Sequence, residues 1–272
     1  MFLYTHLKTH KIGTMTPIPQ PNDCFSLVKQ PNSWITGHFL ALEARDIPHF
    51  VSTRHGPDGH VIRDQTDQAV SQAAQFLSKQ QGAWLNQVHG PTAWLCDRPG
   101  LIGEADALYT SQPNLVLVGK SADCPLILVA EKQGHAVGFA HASWRSTVAD
   151  ITPNLIQGMI KDLHCQPQNL IACICPSAGP ECFEVGPEVY DQAISQLGPE
   201  ADAFFVRQSD RFLFDLWHAN SHALQQNGLL ESNIHLAGLC TLCRNDLFPS
   251  YRKEGLEAGR FVAAICVSGI RD

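Results

Sequence analysis

The sequence predicts an α/β protein, with α+β kept open, built as a single domain of mixed β-sheets flanked by helices. Three observations predict it. The apolar runs between 83 and 140 are short, rich in Val, Leu and Ile, and leave no room for long helices between them. Helical apolar spacing appears on either side, at 67–80 and after Thr152. The chain has 272 residues, 44% hydrophobic and 17% charged, which is enough apolar surface for a sizeable core and too much for a mainly disordered chain.

Along the chain, 1–33 reads as an irregular lead, interrupted by Pro17, Pro19, Pro21 and Pro31, and 34–272 as the folded domain. Strands are expected at 34–41 and 48–53. At 67–80 the apolar residues Ala69, Val70, Ala73, Ala74, Phe76 and Leu77 repeat at helical spacing. Strands follow at 83–88, 92–96 and 106–110, then buried strands at 115–119, 125–130 and 136–140. Thr152-Pro153 reads as a capped helix start, running to 163. A strand at 170–175 precedes helices at 187–197 and 215–226, the second closed by Asn227-Gly228. Strands at 234–239 and 261–267 complete the chain.

Charge and composition exclude several classes. Nineteen Lys and Arg against 26 Asp and Glu leave a net charge of −7, which argues against a nucleic-acid or anionic-membrane binder but allows a local basic site. No run reaches the roughly 18 apolar residues of a membrane span. The N-terminus lacks the apolar segment and cleavage site of a signal peptide, so a cytoplasmic protein is expected. Ten cysteines fall far below disulfide-scaffold density. The Walker, dinucleotide-binding, zincin and nucleophile-elbow patterns are absent. The oligomeric state is left open.

Three segments concentrate chemistry. His89 ends NQVHG (86–90) before a Gly-Pro turn. Lys120, Ser121, Asp123 and Cys124 interrupt the most apolar part of the chain, where polar groups cost desolvation unless they are satisfied or functional. Cys124 there suits an inert core thiol, a ligand or a nucleophile. His141 ends a strand in GFAHASWRS (138–146), followed by Trp144-Arg145. Each has a bland alternative: a turn-capping or core histidine, a surface arginine. Together, two imidazoles and a thiolate at strand ends suit tetrahedral zinc with an open fourth position, and ligand type alone leaves copper possible. Arg54 in the S-T-R run (52–54) suits an anion such as phosphate, or a solvated surface. In FPSYRKEG (248–255) and GRF (259–261), Tyr251 suits stacking on a base and Arg252 or Arg260 suits a phosphate or another group, with ordinary surface chemistry the alternative. Cys240 and Cys243 form half a zinc ribbon, but there is no second C-x2-C pair and Cys173-x-Cys175 does not fit, so spacing argues against a structural zinc there.

In order, WLNQVHG (84–90), ADALYT (105–110), SADCPLILV (121–129), GFAHASWRS (138–146), PSAGPECFEVGPEV (176–189), LCTLC (239–243) and SYRKEGLEAGRF (250–261) form a series. From about residue 48 onward it resembles the multicopper polyphenol oxidase (laccase-domain) family, members of which are also described as purine nucleoside phosphorylases with adenosine deaminase activity. The resemblance implies zinc at His89, Cys124 and His141. It implies phosphorolysis of adenosine, inosine and methylthioadenosine, and hydrolytic deamination of adenosine. The matching positions imply catalytic roles for Cys124, Asp123 (a proton carrier in deamination) and Arg54. Nucleoside and phosphate would be held by Arg54, Gln87, Arg145 and Tyr251. Other members imply copper phenol oxidation or editing of peptidoglycan precursors, and a non-catalytic metal-binding partner protein is the remaining alternative. The chain departs from the family pattern at ADCPL for A-D-C-L-P, at Ser143 and Ser146 for glycines, in the 55–66 loop, at Cys175-Pro176 for G-P and at Pro249. The ligand positions are kept while the substrate shell is altered.

Overall fold

A computed structural model describes residues 16–18 and 23–268. It is an α/β fold of two large mixed sheets face to face, with helices on the outside. The first sheet has eight strands in the order Thr16–Ile18, Phe25–Lys29, Ile35–Phe39, His49–Ser52, Phe261–Cys266, Leu115–Ser121, Gln81–Asn86, Gly100–Glu104. The second has six: Ile234–Leu236, Leu170–Ile174, Leu126–Glu131, Val137–His141, Ala107–Thr110, Ala93–Leu95. A three-stranded sheet, Glu184–Val185 with the hairpin Arg211–Phe214 and Phe205–Gln208, forms a side layer.

The period-2 alternation of the apolar strands assigns each residue to a layer. Leu115 and Leu117 face the core between the sheets, while Val116 and Val118 face the outer helix Thr66–Phe76 through Ala69, Val70, Ala73 and Ala74. Leu126 and Leu128 join the same inter-sheet core. Ile127 and Val129 pack outward on Leu155, Ile156 and Met159 of helix Ile151–Leu163. With both faces covered, these strands carry no polar side until they end, and the candidate residues stand at those ends.

Part of the lead expected to be irregular is strand. Phe25–Lys29 pairs antiparallel with Ile35–Phe39, and Phe25 and Leu27 are buried in the inter-sheet core. The prolines flank this strand instead of interrupting it, and Pro17 sits on the outermost strand, where a missing N–H is tolerated. The rest of the lead, 1–15 and 19–22, lies outside the described residues. The 55–66 segment holds a helix, Gly59–Asp64, capped by Asp58, whose side chain accepts from the His60 N–H. Among the described residues no helix is long and apolar enough to cross a membrane.

Candidate active site

The register of the sheets brings the candidates together. Leu126 lies opposite His141, so Cys124 sits two residues beyond that pair. Gln81–Asn86 runs parallel to Leu115–Ser121, so the chain leading to His89 and the chain leading to Cys124 leave the sheet on the same side. His89, Cys124 and His141 offer ligand atoms within 4.8 Å of one another, and the two imidazoles meet edge to face at 5.0 Å. His141 is buried, Cys124 half-buried and His89 exposed.

One buried carboxylate organises the trio. Asp106 is fully buried; its Oδ1 accepts from His141 Nδ1 at 2.8 Å, and its Oδ2 accepts the Val88 and Gly90 N–H groups at 3.1 and 2.7 Å. His141 is thereby held with Nε2 directed away from Asp106, and the His89 turn is fixed by the same side chain. His89 itself has φ +61° and Asp123 φ +89°, backbone that side-chain-bearing residues adopt at a cost of order 1–3 kcal/mol. Burial opposes charge on Cys124, yet the His141 and His89 imidazoles outweigh it and hold the thiol down at about 7. His141 moves oppositely: burial lowers its pKa, but Cys124 and Asp106 raise it to about 9.

These residues open on a cleft of about 580 Å³. Its walls include Asn86, Gln87, Ser143, Trp144, Arg145, Phe183 and Tyr251, with the cations Arg63, Lys120, Arg252 and Arg260. Gln87 spends its amide on the backbone: Nε2 donates to the Lys120 carbonyl at 2.8 Å and Oε1 accepts the Lys120 N–H at 3.0 Å. Asp123 is buried with both oxygens accepting, from the Thr241 hydroxyl at 2.6 Å and the Arg252 N–H at 2.7 Å. Arg145 lies 4.3 Å over the Trp144 ring, and Arg252 4.5 Å over Phe183. Arg260 reaches the cleft on a segment bonded to the 59–64 helix: the Arg260 N–H donates to the Gly59 carbonyl at 2.8 Å, and a Cβ on Gly59 or Gly259 would meet the facing backbone at 3.0 Å.

Arg54 is not among the lining residues. Its guanidinium donates to Glu254, and it lines a smaller neighbouring cleft that shares Arg260. The same Glu254 oxygen accepts the Ser250 N–H at 2.8 Å, so Arg54 steadies the short helix Tyr251–Glu254 that carries Tyr251 and Arg252. Of the serines standing at family glycine positions, Ser146 turns into the chain, its hydroxyl donating to the His141 carbonyl at 2.8 Å, and only Ser143 lines the cleft. Ser143 has φ −58°, so no glycine backbone is required there.

Arg252 and Arg260, which the sequence offered for a phosphate, both line the cleft, whereas sequence reasoning missed Arg63 on its wall and Asp106 behind the trio. A signal for Asp106 was present: a lone carboxylate in the apolar run Ala105–Leu108 needs a buried partner.

A sequence profile described as multi-copper polyphenol oxidoreductase laccase matches residues 53–268. The chain belongs to that family. A relative from Bacteroides thetaiotaomicron, named purine nucleoside phosphorylase, is 33% identical over 172 residues, 62% of this chain and 63% of that protein. The match therefore spans under two thirds of that relative's length. A relative of the same name from Deinococcus radiodurans is 30% identical over 234 residues, 80% of this chain and 88% of its own. The crystal structure of YlmD from Geobacillus stearothermophilus superposes with a TM-score of 0.79 at 25% identity, covering 87% of this chain and 96% of that one. The resemblance drawn from the motif series and the mixed α/β fold are both borne out. His89, Cys124, His141 and Asp106 all lie inside the stretch that matches the laccase-family profile.

Proposed function

We propose that this laccase-family chain is a metal-dependent purine nucleoside phosphorylase acting on adenosine, inosine and methylthioadenosine, with hydrolytic deamination of adenosine at the same cleft. The observation that carries the reading is a crowded cationic wall beside the His–Cys–His trio. Burial, then the charge of Arg260, lowers the Lys120 pKa. Burial, then the charge of Arg63, lowers that of Arg260. Asp64 answers Arg63 through a two-oxygen ion pair at 2.8 and 2.9 Å, which leaves Lys120 and Arg260 as the cations that a bound anion relieves, and phosphate is the anion this reaction consumes. The cleft volume falls in the range of small-molecule sites, and Trp144, Phe183 and Tyr251 offer apolar faces to a purine.

In phosphorolysis a phosphate oxygen bonds to the anomeric carbon, the glycosidic C–N bond breaks, and the base leaves with the electron pair and takes up a proton. Lys120 and Arg260 hold and orient the phosphate, while Arg63, bonded to Asp64 and the Leu256 carbonyl, adds its charge from behind. Arg145, held over Trp144 on the cleft wall, offers its guanidinium to the sugar or base. Asp123 acts as a positioning residue, fixing Thr241 and the Arg252 backbone, and Arg54 does the same through Glu254. The donor set of His89, Cys124 and His141, with Asp106 behind it, fits a tetrahedral zinc ion. Copper is the less favoured occupant. Bound there, the ion supplies Lewis acidity for a polar group of the substrate.

The test is inosine with and without phosphate on metal-loaded protein. Equal yields of hypoxanthine and ribose 1-phosphate, saturating with phosphate, are expected. Free ribose made independently of phosphate would contradict phosphorolysis.

A further inference from the structure

Sequence spacing set Cys240 and Cys243 aside as half a site. The fold supplies a third sulfur. Cys182, Cys240 and Cys243 bring their Sγ atoms within 4.8 Å of one another, and Cys182 Sγ stands 3.4 Å from Cys243 Sγ although 61 residues separate them. We propose that these three cysteines form a second metal site, for zinc or a similarly thiophilic cation, which staples the 176–186 loop to the 239–244 turn.

The backbone around the trio is built to bring two loops into one place. Ser177 N–H donates to the Leu239 carbonyl at 3.1 Å, and Thr241 N–H to the Ser177 carbonyl at 3.0 Å, so the two segments run as a parallel bridge. Arg244 N–H donates to the Cys240 carbonyl at 2.8 Å, closing the turn that places Cys240 and Cys243 on one side. Gly179 crosses directly over Cys240: its N–H donates to Cys240 Sγ at 3.2 Å, and a Cβ there would meet Cys240 Cβ at 3.0 Å and the Trp217 ring at 3.2 Å. Cys182 and Phe183 N–H groups both donate to the Gly179 carbonyl, folding the loop back so that Cys182 faces the pair.

The chemistry agrees with the geometry. Zn–S bonds of about 2.3 Å in a tetrahedron place sulfurs about 3.8 Å apart, a separation this trio meets with small shifts. Three thiolates select soft ions and reject magnesium and calcium. Cys243 is exposed and Cys182 and Cys240 half-buried, so an ion has an entry path and a fourth position open to water. Burial raises the Cys240 pKa, but N–H groups, first that of Cys243 and then that of Gly179, bring it below the ordinary value. Burial and the neighbouring sulfurs hold Cys182 up at about 12. Without a cation the trio shares its protons; with one, all three sulfurs become thiolate.

The site has a structural consequence for the cleft. Thr241, between the two turn cysteines, donates to Asp123. Phe183, next to Cys182, lines the cleft and stacks under Arg252, whose Nη1 donates to the Glu184 carbonyl at 2.7 Å. The staple thus fixes one wall of the cleft and takes no part in the reaction.

The test counts zinc in the full chain after chelator treatment, zinc reloading and desalting. Wild type is expected to hold two zinc ions per chain. Cys182→Ser, Cys243→Ser and Cys124→Ala are each expected to hold one, and Cys124→Ala separates the two sites whatever the enzyme's activity. A second measurement needs no variant: mass spectrometry after alkylation of wild-type protein, with Cys182, Cys240 and Cys243 protected by zinc and released by chelator. Unchanged zinc content in both Cys182→Ser and Cys243→Ser, equal alkylation of the three with and without zinc, or recovery of Cys182 and Cys243 as a disulfide under reducing conditions would overturn the proposal.

Discussion

Asp106 binds His141 with one carboxylate oxygen and the His89 turn with the other. A single fully buried side chain therefore sets the orientation of one candidate ligand and the position of a second. Asp106→Asn keeps the volume but places an NH2 group where only acceptors fit. Metal affinity is expected to fall 10–100-fold, as with other partners of this kind. Chelator competition measures it, with circular dichroism unchanged as the control.

Cys124 and His141 form a charge-sharing pair before any metal binds. In metal-stripped protein the thiolate fraction of Cys124 grows as pH rises through about 7. Alkylation of Cys124 is expected to follow that profile. His141→Ala removes the largest stabilising charge and is expected to move the profile up toward the ordinary value of 9.0.

The cationic wall predicts a KM effect. Arg260→Gln is expected to raise the KM for phosphate roughly 10- to 100-fold, since hydrogen bonds to charged groups contribute about 1.5–3 kcal/mol. The KM for the nucleoside should move much less. Initial-rate kinetics against both substrates distinguish this from general loss of the site.

How much was legible follows the same physics. The trio was legible because His141 ends a buried strand and His89 and Cys124 follow the ends of two others within three residues, and the ends of paired strands converge. The buried strands were legible because Leu126, Ile127, Leu128 and Val129 alternate between two apolar layers. Gly100–Glu104 was missed because Gly100 and Gly103, at φ +99° and +149°, read as a turn. The 59–64 helix was hidden by Gly56-Pro57-Asp58-Gly59, which punctuates like a loop but ends in a cap. Cys182 and Arg63 were invisible to spacing because tertiary contacts alone bring them to their partners.

A buried histidine pair away from the cleft also makes the fold acid-sensitive. His49 is buried; its Nδ1 donates to the Ile47 carbonyl at 2.9 Å and its Nε2 accepts the Phe39 N–H at 2.8 Å, which only the neutral ring can do. Burial lowers its pKa to about 3, against the Ile47 bond, and lowers that of neighbouring His38 to about 4. The unfolded chain takes up these protons near 6.5 while the folded chain does not. Stability from this pair is therefore complete above about 6.5 and is lost as pH falls toward 4 and 3. Melting temperatures are expected to drop between neutral and mildly acidic pH, and His49→Gln to reduce that drop.

The most direct test of the central claim is adenosine with phosphate, resolved by chromatography, on zinc-loaded wild type, chelator-stripped wild type and Cys124→Ala. The account predicts adenine and ribose 1-phosphate from the zinc-loaded protein, inosine where deamination also occurs, and neither from the other two. No product from folded wild type that retains its zinc would contradict it, and would move amide-bond cleavage in cell-wall precursors and a non-catalytic partner role ahead.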